Sequence, residues 1–368
     1  MLGVIATIAV GSVPTSVAVS PTKPRAYVTN FDDDTVSVID TSTNTVDMTV
    51  PVGNGPNLLA VSPDGNRVYV SNHGDDTVSV IDANDNSVAT TIAVGNGPAG
   101  VAVSPDGATV YITNPLADTV SVIDTATHAV ASIAVGDTPG GVAVTPDGST
   151  VYVTNIDADT VSIIDTATHG VTAITVGDRP GGVAISPAGD FVYVANLESD
   201  TISKIRTATH SVEMTIMASD GPGFVAVSPD GATVYVSNLF ANTLSVVQTG
   251  SNSIETVQLG NMSTGVAVSP DGKRIFVTNQ GDNTVSVLAK VISRPPWRDF
   301  LLTGRVFGGV ASGGGGWLVI GNRFYPIPPR PHAIVRIARA AAPFLGAPVE
   351  NGELGQRLRD LQSRTPKT

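Results

Sequence analysis

The chain carries 5 histidines in 368 residues. Three of them, His128, His169 and His210, follow the same Thr-Ala-Thr string at steps of 41 residues. Three converging imidazoles could hold a divalent metal such as zinc. A second set, His73, Arg179 and Glu198, has the makings of a general acid–base site. It would combine an imidazole titrating near neutrality, a fixed cation and a carboxylate. Carboxylates also crowd short links that read FDDD, HGDD, PLAD, IDAD and LESD, where they could attract a cation or a basic partner. There are no cysteines, so disulfides, thiolate metal sites and cysteine nucleophiles are excluded. No P-loop, zinc spacing or nucleophile elbow is present.

What positions these groups is a repeat. An aromatic residue recurs at Tyr27, Tyr69, Tyr111, Tyr152, Tyr193, Tyr235 and Phe276, in steps of 41 or 42 residues. An asparagine follows three residues later each time, from Asn30 to Asn279. One unit, from Pro98 to Gly136, holds four β-rich runs: Gly100–Ser104, Thr109–Thr113, Thr119–Asp124 and Val130–Val135. Pro105-Asp106-Gly107 separates the first two as a tight turn. Four hairpin-linked strands per forty-residue period describe the blade of a propeller, and argue against a parallel β-helix. The expected fold is all-β: a seven-bladed β-propeller over residues 1–290 with four-stranded blades. The seventh repeat supplies only three strands before Val291-Ile292-Ser293-Arg294 breaks the pattern. Val4–Val10 resembles a fourth strand (compare Thr90–Val94), so the N-terminal strand is expected to close the last blade. That reading displaces a signal peptide, since the first residues lack a basic n-region and a cleavage site. Mean hydropathy is +0.20, yet no run of eighteen apolar residues suggests a membrane-spanning helix.

Strand parity sorts the side chains. Links between second and third strands share a face with the links between blades, and the other hairpins lie opposite. His128, His169 and His210 then fall in the same outer turn of successive blades, too far apart to share one ion. His73, Arg179 and Glu198 belong to the second, fourth and fifth blades, and the spacing alone does not establish that they converge. No catalytic residue, metal site or cofactor is assigned on this basis. Asp76, Asp118, Asp159, Asp200 and Asp282 are read as equivalent. Their repetition favours an architectural role, capping backbone N–H groups, over a cation site on an acidic rim. Phe31, Ile156, Leu197 and Leu239, with Phe240 adjacent, follow the repeated asparagine. They either tuck against the next blade or form a partly exposed ring that binds a protein or peptide. The candidate partner-binding set is therefore Phe31, His73, Ile156, Arg179, Leu197, Glu198, Leu239 and Phe240.

The strings YVTN, YVSN, YITN and YVAN, the SPDG turns and TVSVIDTAT resemble the YVTN-family β-propeller repeat over residues 1–290. That resemblance extends to bacterial and archaeal surface-layer proteins, to periplasmic YncE-like proteins and, distantly, to lactonase-type propellers. It implies a periplasmic, extracellular or cell-surface location, although no export signal is visible. It also implies that ligands meet the face bearing the inter-blade links. YncE-like relatives bind single-stranded DNA, but the acidity of this propeller argues against phosphate-backbone binding.

Charge divides the chain. Residues 1–290 hold 28 acidic and 9 basic groups; residues 291–368 hold 4 acidic and 11 basic. The second segment is expected to be a small basic appendage, with a hairpin formed by Trp317–Ile320 and Arg323–Ile327. Helices are expected over His332–Leu345 and Gly352–Arg364. It could contact the propeller, an anionic surface or a partner. The function these features favour is a non-enzymatic scaffold that recognises a protein, peptide or cell-envelope component through its loop-rich face. A lactonase- or lyase-type enzyme on the same face, and a structural surface-layer-like module, are the alternatives.

Overall fold

Period-2 alternation of Val, Ile, Tyr and Thr, cut by Asp/Gly turns, produces short strands throughout. The computed structural model describes residues 2–291 and, beyond them, three strands at Phe307–Val310, Gly316–Ile320 and Arg323–Ile327. The chain opens with β1 (Leu2–Ala9), then β2 (Pro14–Val19), β3 (Arg25–Asn30), β4 (Thr35–Asp40) and β5 (Thr45–Pro51). Strands β2 to β5 form the first four-stranded antiparallel blade. The next five blades repeat that order. They run from β6 (Pro56–Val61) to β9 (Ser87–Ala93), β10 (Val101–Val103) to β13 (Val130–Ala134), β14 (Pro139–Val144) to β17 (Val171–Thr175), β18 (Pro180–Ile185) to β21 (Ser211–Met217), and β22 (Pro222–Val227) to β25 (Ile254–Gln258). The seventh blade contains β26 (Ser263–Val268), β27 (Arg274–Asn279) and β28 (Thr284–Lys290), and β1 is its outermost strand. The register runs from Leu2 opposite Lys290 to Ala9 opposite Thr284. Ring closure through the N-terminal strand is therefore as expected.

The core lies between blades. The second and third strands of each blade are buried on both faces, because a neighbouring blade covers each side. Tyr27, Val36 and Val38 of blade 1 pack with Leu59, Val68, Val70 and Ile81 of blade 2. Phe276, Val285 and Val287 of blade 7 pack with Val17, Val28 and Ile39 of blade 1, so the seam at the chain ends resembles the others. Burial raises the pKa of the repeated tyrosines, that of Tyr152 to about 12. Its hydroxyl is paired with His210 Nδ1 at 2.9 Å.

Hydroxyls pin the inner edges of the seams. Thr29, Ser71, Thr113 and Thr154 each donate to a carbonyl in or just before the inner strand of the next blade, at Asn57, Ala99, Gly140 and Gly181, all at 2.7 Å. Buried asparagines fix the corners. Asn30 Nδ2 donates to Thr35 Oγ1 at 3.0 Å and to Ser37 Oγ at 2.9 Å, tying the second strand to the third. Asn72 repeats this with Thr77 and Ser79. The link before the blade passes so close that a Cβ on Gly53 would lie 2.6 Å from Asn72 Nδ2. Only glycine fits there.

In the C-terminal unit the three strands β29 (Phe307–Val310), β30 (Gly316–Ile320) and β31 (Arg323–Ile327) pair in that order, antiparallel. The helices expected over 332–345 and 352–364 lie outside the described residues.

Removing residues 2–9 should leave β28 as an open edge and uncover Val285 and Val287. The expected outcome is a fall in melting temperature of more than about 10 °C, measured by circular dichroism, because several kcal/mol of packing is lost from a large domain. An unchanged melting temperature would show that β1 does not close the ring.

Candidate functional site

The loop face is built by two sets of links that bond to each other. The second-to-third links run from 31–34 in blade 1 to 280–283 in blade 7, and the inter-blade links from 10–13 to 259–262. Phe31 N–H donates to Val13 O at 3.1 Å, His73 N–H to Gly55 O at 3.0 Å and Leu239 N–H to Gly221 O at 2.7 Å. The two sets thus share one face, as strand parity requires.

The last residue of each second-to-third link clips onto the next blade. Asp34 Oδ1 accepts Gly55 N–H at 2.8 Å, Asp76 Oδ1 accepts Gly97 N–H at 2.7 Å, and Asp118 Oδ1 accepts Thr138 N–H at 2.9 Å. Asp159 serves Arg179 at 2.8 Å and Asp200 serves Gly221 at 2.9 Å. Asn242 and Asn283 fill the position in the last two blades, bonding Met262 at 2.7 Å and Val13 at 2.9 Å. The set expected to be equivalent needs one correction. Asp282 stands one place earlier, with Asp33 and Asp75, and accepts the N–H of Asn261 in its own blade at 2.8 Å. Both sets answer backbone donors, which explains why Asp and Asn recur there. Among the described residues, no three His, Cys, Asp or Glu side chains are grouped to hold a metal ion.

The clips also hold strained backbone. Val13, Thr138, Arg179 and Met262 have φ between 49° and 53°, where three other blades use Gly55, Gly97 and Gly221. A left-handed conformation is costly for β-branched Val13 and Thr138.

The distinctive charged groups do not assemble into one site. Arg179 Nε lies 3.3 Å from Glu198 Oε1, and its Nη1 lies 3.3 Å from Asp157 Oδ1. This exposed network joins blades 4 and 5. His73 stands apart in blade 2. Its Nδ1 is 3.0 Å from Gly97 O, and its ring is tilted 41° against Phe31 with centroids 6.4 Å apart. A carbonyl only accepts, so Nδ1 carries the proton and Nε2 of neutral His73 is left as an acceptor.

The apolar residues divide. Phe31, Ile156, Leu197 and Leu239 are half-buried, and Phe31 and Ile156 lie over Gly55 and Gly140. Phe240 sits on Gly221 but remains 60% exposed. Leu116, Met217 and Met262 are 71%, 67% and 47% exposed. Sequence reasoning passed over these three. The signal was available at Met262, a large apolar residue where other links place glycine, valine, threonine or arginine.

The histidines of the outer turns have a conformational explanation. His128, His169 and His210 are left-handed, with φ of 60°, 59° and 47°, like Asn44, Asn86 and Asn252 at the same position. The turns of the face opposite the loops also hold the perturbed carboxylates. Asp64, Asp106, Asp147, Asp230 and Asp271 are all depressed, first by a side-chain hydrogen bond from a Ser or Thr two residues earlier and then by backbone N–H.

Comparison with known proteins agrees with the architecture. The family described as "Lactonase, 7-bladed beta-propeller" matches residues 11–220 and 206–291. The chain belongs to that family. Among solved structures, this lactonase-family propeller is similar to Kuenenia stuttgartiensis hydrazine synthase. The two share 23% identity over 76% of this chain and 96% of that one, with a TM-score of 0.70. A streptogramin B lyase aligns at 14% identity over 78% of this chain and 97% of its own, TM-score 0.68. Virginiamycin B lyase from Staphylococcus aureus aligns at 14% over 79% and 99%, also with a TM-score of 0.68. At these identities the likeness is one of fold. No curated protein matches the chain.

Two outcomes follow from the hydrogen bonding. Asp200→Ala should destabilise the propeller by about 1 kcal/mol in urea unfolding, because it orphans a buried N–H. Asp200→Asn should not, since asparagine does the same work at 242 and 283; equal loss in both variants would contradict the clip. The depressed carboxylates set the acid response. Their folded pKa values lie below the ordinary 3.8, with Asp271 at about 2. They favour the folded state above about pH 4, and that contribution is lost as pH falls through the folded values. Thermal melts should therefore shift downward between pH 4 and pH 2.

Proposed function

We propose that the protein is a recognition scaffold whose loop face binds a protein or peptide, mainly through the sector formed by blades 5 to 7. The observation that carries this reading is the exposure of Met217, Phe240 and Met262 on that sector. The 239–242 link carries Phe240 and bonds to the links on either side, one of which holds Met262, while Met217 ends the strand that leads into the other. Leu239 N–H bonds Gly221 O, Ala241 N–H bonds Asp220 O, and Asn242 Oδ1 accepts the Met262 N–H. Large flexible and aromatic side chains on a polar rim are the composition of a binding patch rather than of solvated surface. Leu197 and Leu239 continue it inward as half-buried groups. Asp200 and Asp282 at the edge of the patch already accept backbone N–H groups, and exposed Asp220 adds a carboxylate beside it.

A second reading is lactone hydrolysis. Membership of the lactonase family favours it, and His73 is the loop-face side chain with a tautomer suited to general-base work, through Nε2.

Selection of peptides from a displayed library on the immobilised full-length protein tests the first reading. Selected peptides should bind the Phe240→Ser/Met262→Ser double variant at least about tenfold more weakly, a loss of about 1.4 kcal/mol, with no change in melting temperature. Undiminished binding would remove this sector from the site. Turnover of a panel of γ- and δ-lactones that disappears in His73→Ala would instead establish the enzymatic reading.

A further inference from the structure

Blade 1 departs from the repeat on the face opposite the loops. Where most blades read Ser-Pro-Asp-Gly, or a near variant, blade 1 reads Ser20-Pro21-Thr22-Lys23-Pro24. In blade 2 the aspartate of this turn holds its own hairpin, accepting Ser62 Oγ–H and Asn66 N–H. In blade 1 the substituted residues reach outward. Lys23 Nζ crosses the seam to Ala83 O at 3.0 Å and Asn84 Oδ1 at 2.9 Å.

A cross-strand pair is also left open here. Arg67 and Asp82 face each other in blade 2 and form an ion pair. Arg25 and Asp40 occupy the same register positions in blade 1. Yet Arg25 turns its Nη1 to Ala83 O at 3.0 Å and to Asn86 Oδ1 at 3.4 Å. The bonds Asp40 accepts, from Ser42 N–H, Ser42 Oγ–H and Thr43 N–H, all go to Oδ1. These bonds, that of the Ser42 hydroxyl first, hold its pKa down. A second carboxyl group comes from a strand irregularity that blades 2 and 5 share. Val38 pairs with Met48 and Ile39 with Val46, so Asp47 is the extra residue of a β-bulge. Bulges re-aim side chains in this way.

These departures meet in one cleft of about 280 Å³, lined by Lys23, Arg25, Asp40, Asp47, Ala83 and Asn84. Its volume is at the small end for ligand sites, which run from about 300 Å³ upward. Two cations and two carboxylates line it, and each retains bonding capacity. Lys23 has one of its three N–H donors in hand, and Arg25 retains donors beyond its Nη1 bonds, with the Tyr27 hydroxyl also beside its guanidinium. Asp40 Oδ2 and both oxygens of Asp47 remain as acceptors. A lone anion or lone cation would meet as much repulsion as attraction here. A molecule bearing both charges a few atoms apart would not.

We infer that this cleft binds a small zwitterion of the α-amino acid class, its carboxylate received by Lys23 and Arg25 and its ammonium by Asp40 and Asp47. The site is independent of the loop-face reading, lies on the opposite face, and survives if that reading fails. Repeat regularity argues for it as well, because no other blade combines a lysine in the first turn with an acidic bulge residue and an unclosed Arg/Asp pair.

Isothermal titration of the full-length protein with each of the twenty α-amino acids tests the inference, with acetate and methylammonium as single-charge probes. At least one amino acid should bind saturably with a dissociation constant of about 1 mM or tighter. Each single-charge probe should bind at least about tenfold more weakly. Asp47 is exposed and outside the packing, so Asp47→Asn should keep its melting temperature and weaken binding about tenfold. Lys23→Gln should weaken it similarly. No saturable binding by any of the twenty would overturn the inference. So would binding that both variants leave intact, or acetate binding as tightly as the amino acid.

Discussion

The buried asparagine at the end of each second strand is the contact on which the loop face depends. Its side-chain amide holds the Thr and Ser of the third strand, so the link between those strands leaves at one fixed angle. In six of the seven blades the inter-blade link packs against the same side chain through a glycine that has no room for a Cβ. Once both links are held, the aspartate or asparagine that ends each second-to-third link reaches the following blade. A polar group buried at every corner thus converts seven separate sheets into a ring with a defined upper surface. Hydrophobic packing between blades supplies most of the stabilising free energy, but it is non-directional. The amides supply the direction.

That division of labour separates architecture from function. Residues that recur in register answer backbone donors or occupy left-handed turns. This accounts for the rim aspartates and for the three outer histidines. Where the repeat fails, the side chains exceed that duty. Phe240, Met217 and Met262 stay exposed on the loop face, while Lys23 and Asp47 on the opposite face leave charges unneutralised. Family membership places the chain among seven-bladed lactonase propellers and agrees with the architecture. It leaves chemistry to individual side chains, because propellers of low identity carry unrelated activities.

Much of the fold could be read in one dimension. The number of blades, the four strands in each, and the completion of the last blade by the first strand follow from a 41- or 42-residue period and from period-2 alternation. Turn chemistry is largely local: outside Val13, Thr138, Arg179 and Met262, Asp, Asn, His and Gly stand where φ is positive because few other residues tolerate it. The face on which each link lies followed from parity alone. The placement of Asp282 did not, because a shift of one residue within a four-residue link changes which blade its carboxylate serves.

The tertiary structure decided everything that depends on a neighbouring blade. Arg25 and Arg67 look alike in sequence, each opposite an aspartate. Only the seam shows that one closes its ion pair and the other turns to Ala83, some 58 residues away. His73 gains its tautomer from Gly97 in the next link, and Arg179 gains Glu198 across a blade boundary. Backbone conformation is set by each residue and its immediate neighbours, so the sequence determined strands, turns and their count. Side-chain engagement is set by whatever the ring brings alongside, so occupancy, exposure and the cleft beneath blade 1 emerged only when the seven blades were in place.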